Sequence, residues 1–176
     1  MTTPIAAIIL AAGMGTRMKS DLHKVLHPIA GRAMLLHLVD SFTTAGAKRQ
    51  VVVVGARREQ VEAAVTPLGA TIAAQDEQLG TAHATLMAKQ ALTDFDGIVV
   101  VAFGDTPFLK PATIAAMAAR LEAADAPRAV VLGFRPDDAK AYGRIVADAG
   151  GSITKMVEYK DASDAERAVD LCNSGV

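Results

Sequence analysis

Residues 10 to 26 read LAAGMGTRMKSDLHKVL, and this stretch holds the residue types that could do chemistry on a phosphate. Gly13 and Gly15 follow the apolar run Ile5 to Ala12. Glycine has no Cβ, so the chain can turn sharply there and bring backbone N–H groups close to an anion. Arg17, Lys19 and Lys24 follow. Arg17 offers a planar, bidentate fork to a phosphate. Lys24 lies in the apolar surroundings of His23 and Val25, so its ammonium is expected to face something negative, whereas Lys19 reads as solvated. Far along the chain, Asp105 follows the apolar run Ile98 to Phe103 and the small Gly104. A carboxylate in that place suits Mg²⁺, which typically takes one or two carboxylates and completes its shell with phosphate and water.

Two familiar phosphate loops do not fit. A P-loop needs Gly-Lys followed by Ser or Thr, and here Thr16 follows Gly15. A dinucleotide loop needs a third small residue, where this chain has Met18, and an acid at the end of the second strand. The second apolar run, Val51 to Val54, instead enters Gly55 and Ala56. A nucleoside triphosphate held by a long cationic loop fits better than NAD. The four histidines, 23, 27, 37 and 83, have no metal-ligand spacing and read as structural or surface groups. Met14 and Met18, beside the glycines, could wall a base or ring, but core packing is the favoured reading, and the acids 161, 164, 166 and 170 read as a solvated face. No Ser-His-Asp constellation is evident.

Composition narrows the class. The chain has 176 residues, 51% hydrophobic, with 4% aromatics and no Trp, so its core must be aliphatic. A net charge of −1 argues against a general nucleic-acid surface. One cysteine, Cys172, leaves no internal disulfide and fits a reducing compartment. No apolar run reaches the roughly 18 residues of a membrane span, and the first apolar run lacks a basic lead-in. The expected location is the cytoplasm, without a membrane or nucleic-acid partner.

The elements that must position these groups alternate. Strands are expected at 5–11, 51–54, 70–74, 98–103 and 129–134, with a long loop over 12–30. Helices are expected at 33–44, with Met34, Leu35, Leu38, Val39 and Phe42 on one stripe, at 58–65, from Gly80 and Thr81 to about Ala91, and from Pro111. Ile114, Met117, Ala118 and Leu121 should face inward. The pattern predicts a Rossmann-like α/β fold: a mostly parallel sheet with helices on both faces, and ligands outside the carboxyl ends of its strands. Beyond residue 136 a small antiparallel hairpin (142–147 with 152–158), a short acidic helix (163–168) and one more strand from Val169 are expected.

At LAAGMGTRMKSDLHKVLHPIAGRAML the sequence resembles the N-terminal uridyltransferase domains of bacterial bifunctional enzymes that make UDP-N-acetylglucosamine, within the sugar-phosphate nucleotidyltransferases. AQDEQLGTAHA, FGDTP, AYGRIV, VEYKDASD and NSG follow in the family's order. The resemblance implies the nucleotide-diphospho-sugar transferase fold. It also implies Mg²⁺-dependent transfer of UMP from UTP to N-acetylglucosamine 1-phosphate, which gives UDP-N-acetylglucosamine for cell-wall precursor synthesis and releases pyrophosphate. Leu10, Ala11, Ala12 and Gly13 match the nucleotide-bordering loop, and Arg17 and Lys24 the cations on the phosphates. Gln75, Gly80 and Thr81 match the uracil-reading positions, Asp105 the metal ligand, and Gly143, Glu158 and Asn173 the amino-sugar contacts. Phe103 and Gly104 border the site, with Phe103 where the family usually has Tyr; if backbone groups make the contacts, the lost hydroxyl should matter little.

In the family a second metal ligand, an Asn, and a hexapeptide-repeat acetyltransferase domain lie beyond the position of Val176. The expectation is therefore one nucleotidyltransferase domain, residues 1–176, truncated at its C-terminus. It should be monomeric, where the β-helix makes longer family members trimeric, and much reduced in turnover. The alternatives are a same-fold nucleotidyltransferase with another phosphate acceptor, and a non-catalytic UTP-binding fragment.

Overall fold

The computed structural model describes residues 3–13, 15 and 18–176. The chain divides into two compact units, 1–126 and 127–176.

In the first unit, β1 (Ile5–Ala11) is apolar throughout and buried, as a central strand must be. A 3₁₀ turn at Lys24–Leu26 interrupts the long loop after it. A two-stranded hairpin follows, β2 (Pro28–Ile29) with β3 (Arg32–Ala33). Its turn, Ala30-Gly31, has both φ values positive, as tight hairpins require. Next come α1 (Met34–Thr44), β4 (Arg49–Val54), α2 (Arg58–Val65), β5 (Thr71–Ala74), α3 (Thr81–Met87), β6 (Ile98–Phe103) and α4 (Pro111–Leu121).

The large strands form one parallel sheet in the order β5-β4-β1-β6, with Leu10 paired to Val53 on one side and to Phe103 on the other. Strand alternation separates two covered faces. Ile8, Leu10, Val51 and Val53 pack against Ala84 and Ala88 at α3. On the opposite face Gln50 donates to the Val39 carbonyl and to Thr43 Oγ1, which seats α1 there; Leu35, Leu38, Val39 and Phe42 are its buried stripe. The expected α/β sheet with helices on both faces is present, and its parallel strands bring Ala11, Val54, Ala74 and Phe103 to one edge.

In the second unit, β7 (Gly133–Phe134), β8 (Arg144–Ala147), β9 (Ile153–Val157), α5 (Asp164–Arg167) and β10 (Cys172–Asn173) build an antiparallel sheet in the order β7-β10-β8-β9. Buried Arg144 holds the loops together by donating to the carbonyls of Ala139, Lys140, Tyr142 and Arg167. Ser163 and Glu166 form a capping box that starts α5.

Several expectations need correction. The helix after Gly80 stops at Met87, because Ala88 and Lys89 donate three residues back and tighten into the 3₁₀ turn Gln90–Leu92. The strand expected at 129–134 is only Gly133–Phe134, the part that pairs with β10. The one expected from Val169 is only Cys172–Asn173. Within α4, Ile114 and Ala118 are buried while Met117 and Leu121 are half-buried. Met18, expected in the core, is 42% exposed. Among the described residues no helix is long and apolar enough to cross a membrane.

Candidate functional site

The site is built where glycines allow strand ends to approach. Gly104 donates its N–H to the Leu10 carbonyl at 2.9 Å. A Cβ at residue 104 would stand 3.2 Å from that oxygen and 3.2 Å from Val25 Cγ1. The small residue therefore draws the end of β6 against the end of β1, and Asp105 emerges beside the loop. Gly55 does the same for β4: a Cβ there would lie 2.6 Å from the Ala12 carbonyl oxygen, a backbone atom that cannot yield. That oxygen accepts a hydrogen bond from Gln78 Nε2 at 2.9 Å, which ties the β5–α3 loop to the end of β1.

Lys24 Nζ donates to Asp105 Oδ2, so the negative group that the lysine faces is this carboxylate. Both side chains are about one-third exposed, at 39% and 33%, so the pair opens to solvent. An ammonium carries three donors, so this contact leaves Lys24 with capacity for further oxygens. Its aliphatic stem runs past Gly15, where a side chain would collide with it. Lys19 is exposed, as expected.

Opposite this pair stands Gln75, 4% exposed. Its backbone N–H donates to the Val54 carbonyl at 2.7 Å. Its side-chain Nε2 lies 3.2 Å from the Gly80 carbonyl oxygen and 3.0 Å from His83 Nδ1. Gly80 has φ +98 and ψ −180, a conformation that favours glycine. These groups share one cleft of about 460 Å³. Leu10, Ala11, Ala12 and Gly13 form its β1 edge, Phe103 and Asp105 the β6 edge, and Gln75, Gln78, Gly80 and Thr81 the far wall. Arg17 lies outside the described residues.

His23 underlies the loop. It is 3% exposed and neither ring nitrogen has a hydrogen-bond partner. Burial, and then the positive charge of Arg57, push its pKa below the ordinary histidine value. Its backbone N–H donates to Gln60 Oε1 at 2.8 Å, and Gln60 Nε2 donates to the Asp21 carbonyl at 3.0 Å, so α2 clamps this part of the loop.

Gly143, Glu158 and Asn173 lie together in the second unit. Asn173 N–H donates to the Gly143 carbonyl at 2.9 Å, and a Cβ at residue 143 would stand 3.6 Å from Glu158 Oε2. Reading the sequence by residue type missed Gln78 and His83. Their signal is spacing: His83 sits three residues past Gly80, one turn into the helix, where its ring turns back toward Gln75.

Residues 7–149 match the MobA-like NTP transferase domain. The chain belongs to that family. Within the NTP transferase family, its sequence is 62% identical over 173 residues to the bifunctional protein GlmU of Rhizorhabdus wittichii, spanning 98% of this chain and 38% of that protein. It is 58% identical over 176 residues to GlmU of Sphingopyxis alaskensis, spanning 39% of it. GlmU of Rhodospirillum rubrum is 50% identical over 174 residues. The chain thus spans under two-fifths of the length of these relatives. In fold, this NTP transferase domain is similar to the crystal structure of UDP-glucose pyrophosphorylase complexed with UDP-glucose. The TM-score is 0.76 at 17% identity, covering 98% of this chain and 74% of that one.

Proposed function

We propose that this domain transfers UMP from UTP to N-acetylglucosamine 1-phosphate, giving UDP-N-acetylglucosamine and pyrophosphate, with Mg²⁺ bound at Asp105. The observation that carries the reading is one cleft holding the Lys24–Asp105 pair at one side and the fixed carboxamide of Gln75 at the other. One side is suited to phosphates and the other to a base. The high identity to GlmU proteins, bifunctional by name, supports the choice of acceptor.

The donor set fits Mg²⁺. Among the described residues no group of three or more His, Cys, Asp or Glu could hold a metal. A lone hard carboxylate suits an ion that draws most of its ligands from phosphate and water. Bound there, Mg²⁺ would neutralise charge on the triphosphate. The chain's own residues do the rest. Lys24 places positive charge beside the phosphates, with Arg17 as the second cation. Backbone groups from Leu10 to Gly13 border the nucleotide, and Gln75, Gly80 and Thr81 seat its base, with Phe103 and Gly104 at the β6 edge. A sugar-phosphate oxygen forms the new bond to the α-phosphorus as the bond to the β-phosphate oxygen breaks, and pyrophosphate departs with the electron pair. A phosphate nucleophile is already ionised, so no histidine base is required, and positioning with charge neutralisation suffices. Gly143, Glu158 and Asn173 would contact the amino sugar.

The domain would act in the cytoplasm, as the N-terminal part of a longer chain whose acetyltransferase domain makes it a trimer. Incubation with UTP and a panel of acceptors tests the substrate choice. N-acetylglucosamine 1-phosphate should give the nucleotide sugar in preference to glucosamine 1-phosphate and glucose 1-phosphate. Equal or greater product from another acceptor would assign a different reaction.

A further inference from the structure

The carboxamide of Gln75 has only one orientation that satisfies its neighbours. The Gly80 carbonyl can only accept, so the atom 3.2 Å from it must be the amide nitrogen. The second amide hydrogen then points to His83 Nδ1 at 3.0 Å, which must be the unprotonated ring nitrogen. Both donors are thus spent inside the protein. Oε1 accepts from no described group, on a residue that lines the cleft. Turning the amide over would set Oε1 against the Gly80 oxygen and force the His83 ring proton from Nε2 to Nδ1.

We infer that His83 is a positioning residue for base selection: it holds Gln75 so that the cleft meets the base with an acceptor alone. The inference rests on the proposal that the cleft binds a pyrimidine nucleoside triphosphate. An acceptor suits the N3–H of uracil, whereas cytosine presents a lone pair at N3. With the amide held, cytosine cannot be accommodated by turning it over. His83 touches Gln75 and not the reacting atoms, so its loss acts on which base is bound.

The test is titration calorimetry of UTP and CTP with Mg²⁺ on the wild-type chain, His83→Phe and His83→Asn, with thermal unfolding of each. The wild type is expected to prefer UTP. Phe keeps a ring but no acceptor, and should narrow the UTP-to-CTP preference by roughly five- to tenfold, the worth of one hydrogen bond. Asn can supply an oxygen acceptor and should restore the preference. A Phe variant that binds both nucleotides with the wild-type ratio overturns the inference. So does an Asn variant that is folded but no more selective than Phe. Wild-type binding of CTP as tight as UTP overturns it too, while leaving a nucleotide site in place. Binding of neither nucleotide would overturn the functional reading beneath it.

Discussion

The stem of Lys24 occupies the space that a side chain at residue 15 would need: a Cβ on Gly15 would lie 2.5 Å from Lys24 Cβ and 3.1 Å from its Cγ. Gly15 also has φ +58, in the left-handed region. The glycine therefore does more than turn the chain. It lets the loop backbone lie against the lysine and sets where the ammonium reaches Asp105. Gly15→Ala should remain folded, since Gly15 is only half-buried and residues 18–22 after it are exposed, but should move Lys24. We expect UTP binding to weaken by about tenfold, corresponding to about 1.4 kcal/mol, measured by calorimetry. Unchanged affinity would show that the lysine's position is set elsewhere.

His23 gives a pH dependence. Its folded pKa lies below the unfolded value near 6.5, because burial and Arg57 disfavour the charged ring. The unfolded chain then binds more protons below that pH, so stability is full above about pH 6.5 and is lost as pH falls toward the folded pKa. His23→Phe should flatten this part of the unfolding profile. It also removes two buried ring nitrogens that have no partner, so stability at neutral pH should hold or rise. Urea midpoints at pH 7.5 and 5.5 measure both; a variant that keeps the wild-type slope would contradict the assignment.

Glu166 acts at lower pH in the second unit. Its carboxylate accepts from Lys155 Nζ at 2.5 Å and from the Ser163 N–H at 2.7 Å, which hold its pKa down to about 2 from an ordinary 4.5. Here the folded form resists protonation, so the contribution is present above about pH 4.5 and fades as pH falls toward 2. Glu166→Gln should remove that fading and weaken the cap of α5. Chemical shifts of residues 163–167 followed from pH 5 to 2.5 would reveal it. Identical titration in the variant would rule the carboxylate out.

Much of this was legible in the sequence because the cues were local. The unbroken apolar run IAAIILA and the four valines 51–54 could only be covered strands, and Pro111 and the Met34–Phe42 stripe marked helices. Lys24 stood out because a charge in apolar surroundings demands a partner, and Asp105 because a carboxylate after an apolar strand suits a metal ion; the structure pairs the two. What stayed hidden depends on distant partners. The short strands Gly133–Phe134 and Cys172–Asn173 exist only where they pair with each other. The tie from Gln78 to Ala12 spans 66 residues, and the hydrogen bond from Gln75 to His83 needs the turn at Gly80 to be known first. The proposed uracil and amino-sugar roles rest on resemblance to a family, since carboxamides and glycines carry no label of the ligand they touch.

The most direct test is pyrophosphate release from UTP and N-acetylglucosamine 1-phosphate, with Mg²⁺ or with EDTA, by the wild-type chain and by Asp105→Ala. The account predicts release that EDTA abolishes and that the variant lowers by about a hundredfold or more, as expected when a charge-stabilising group is removed from a reacting centre. Release that persists in EDTA, or that Asp105→Ala leaves unchanged, would contradict the assignment of Asp105 and with it the central claim.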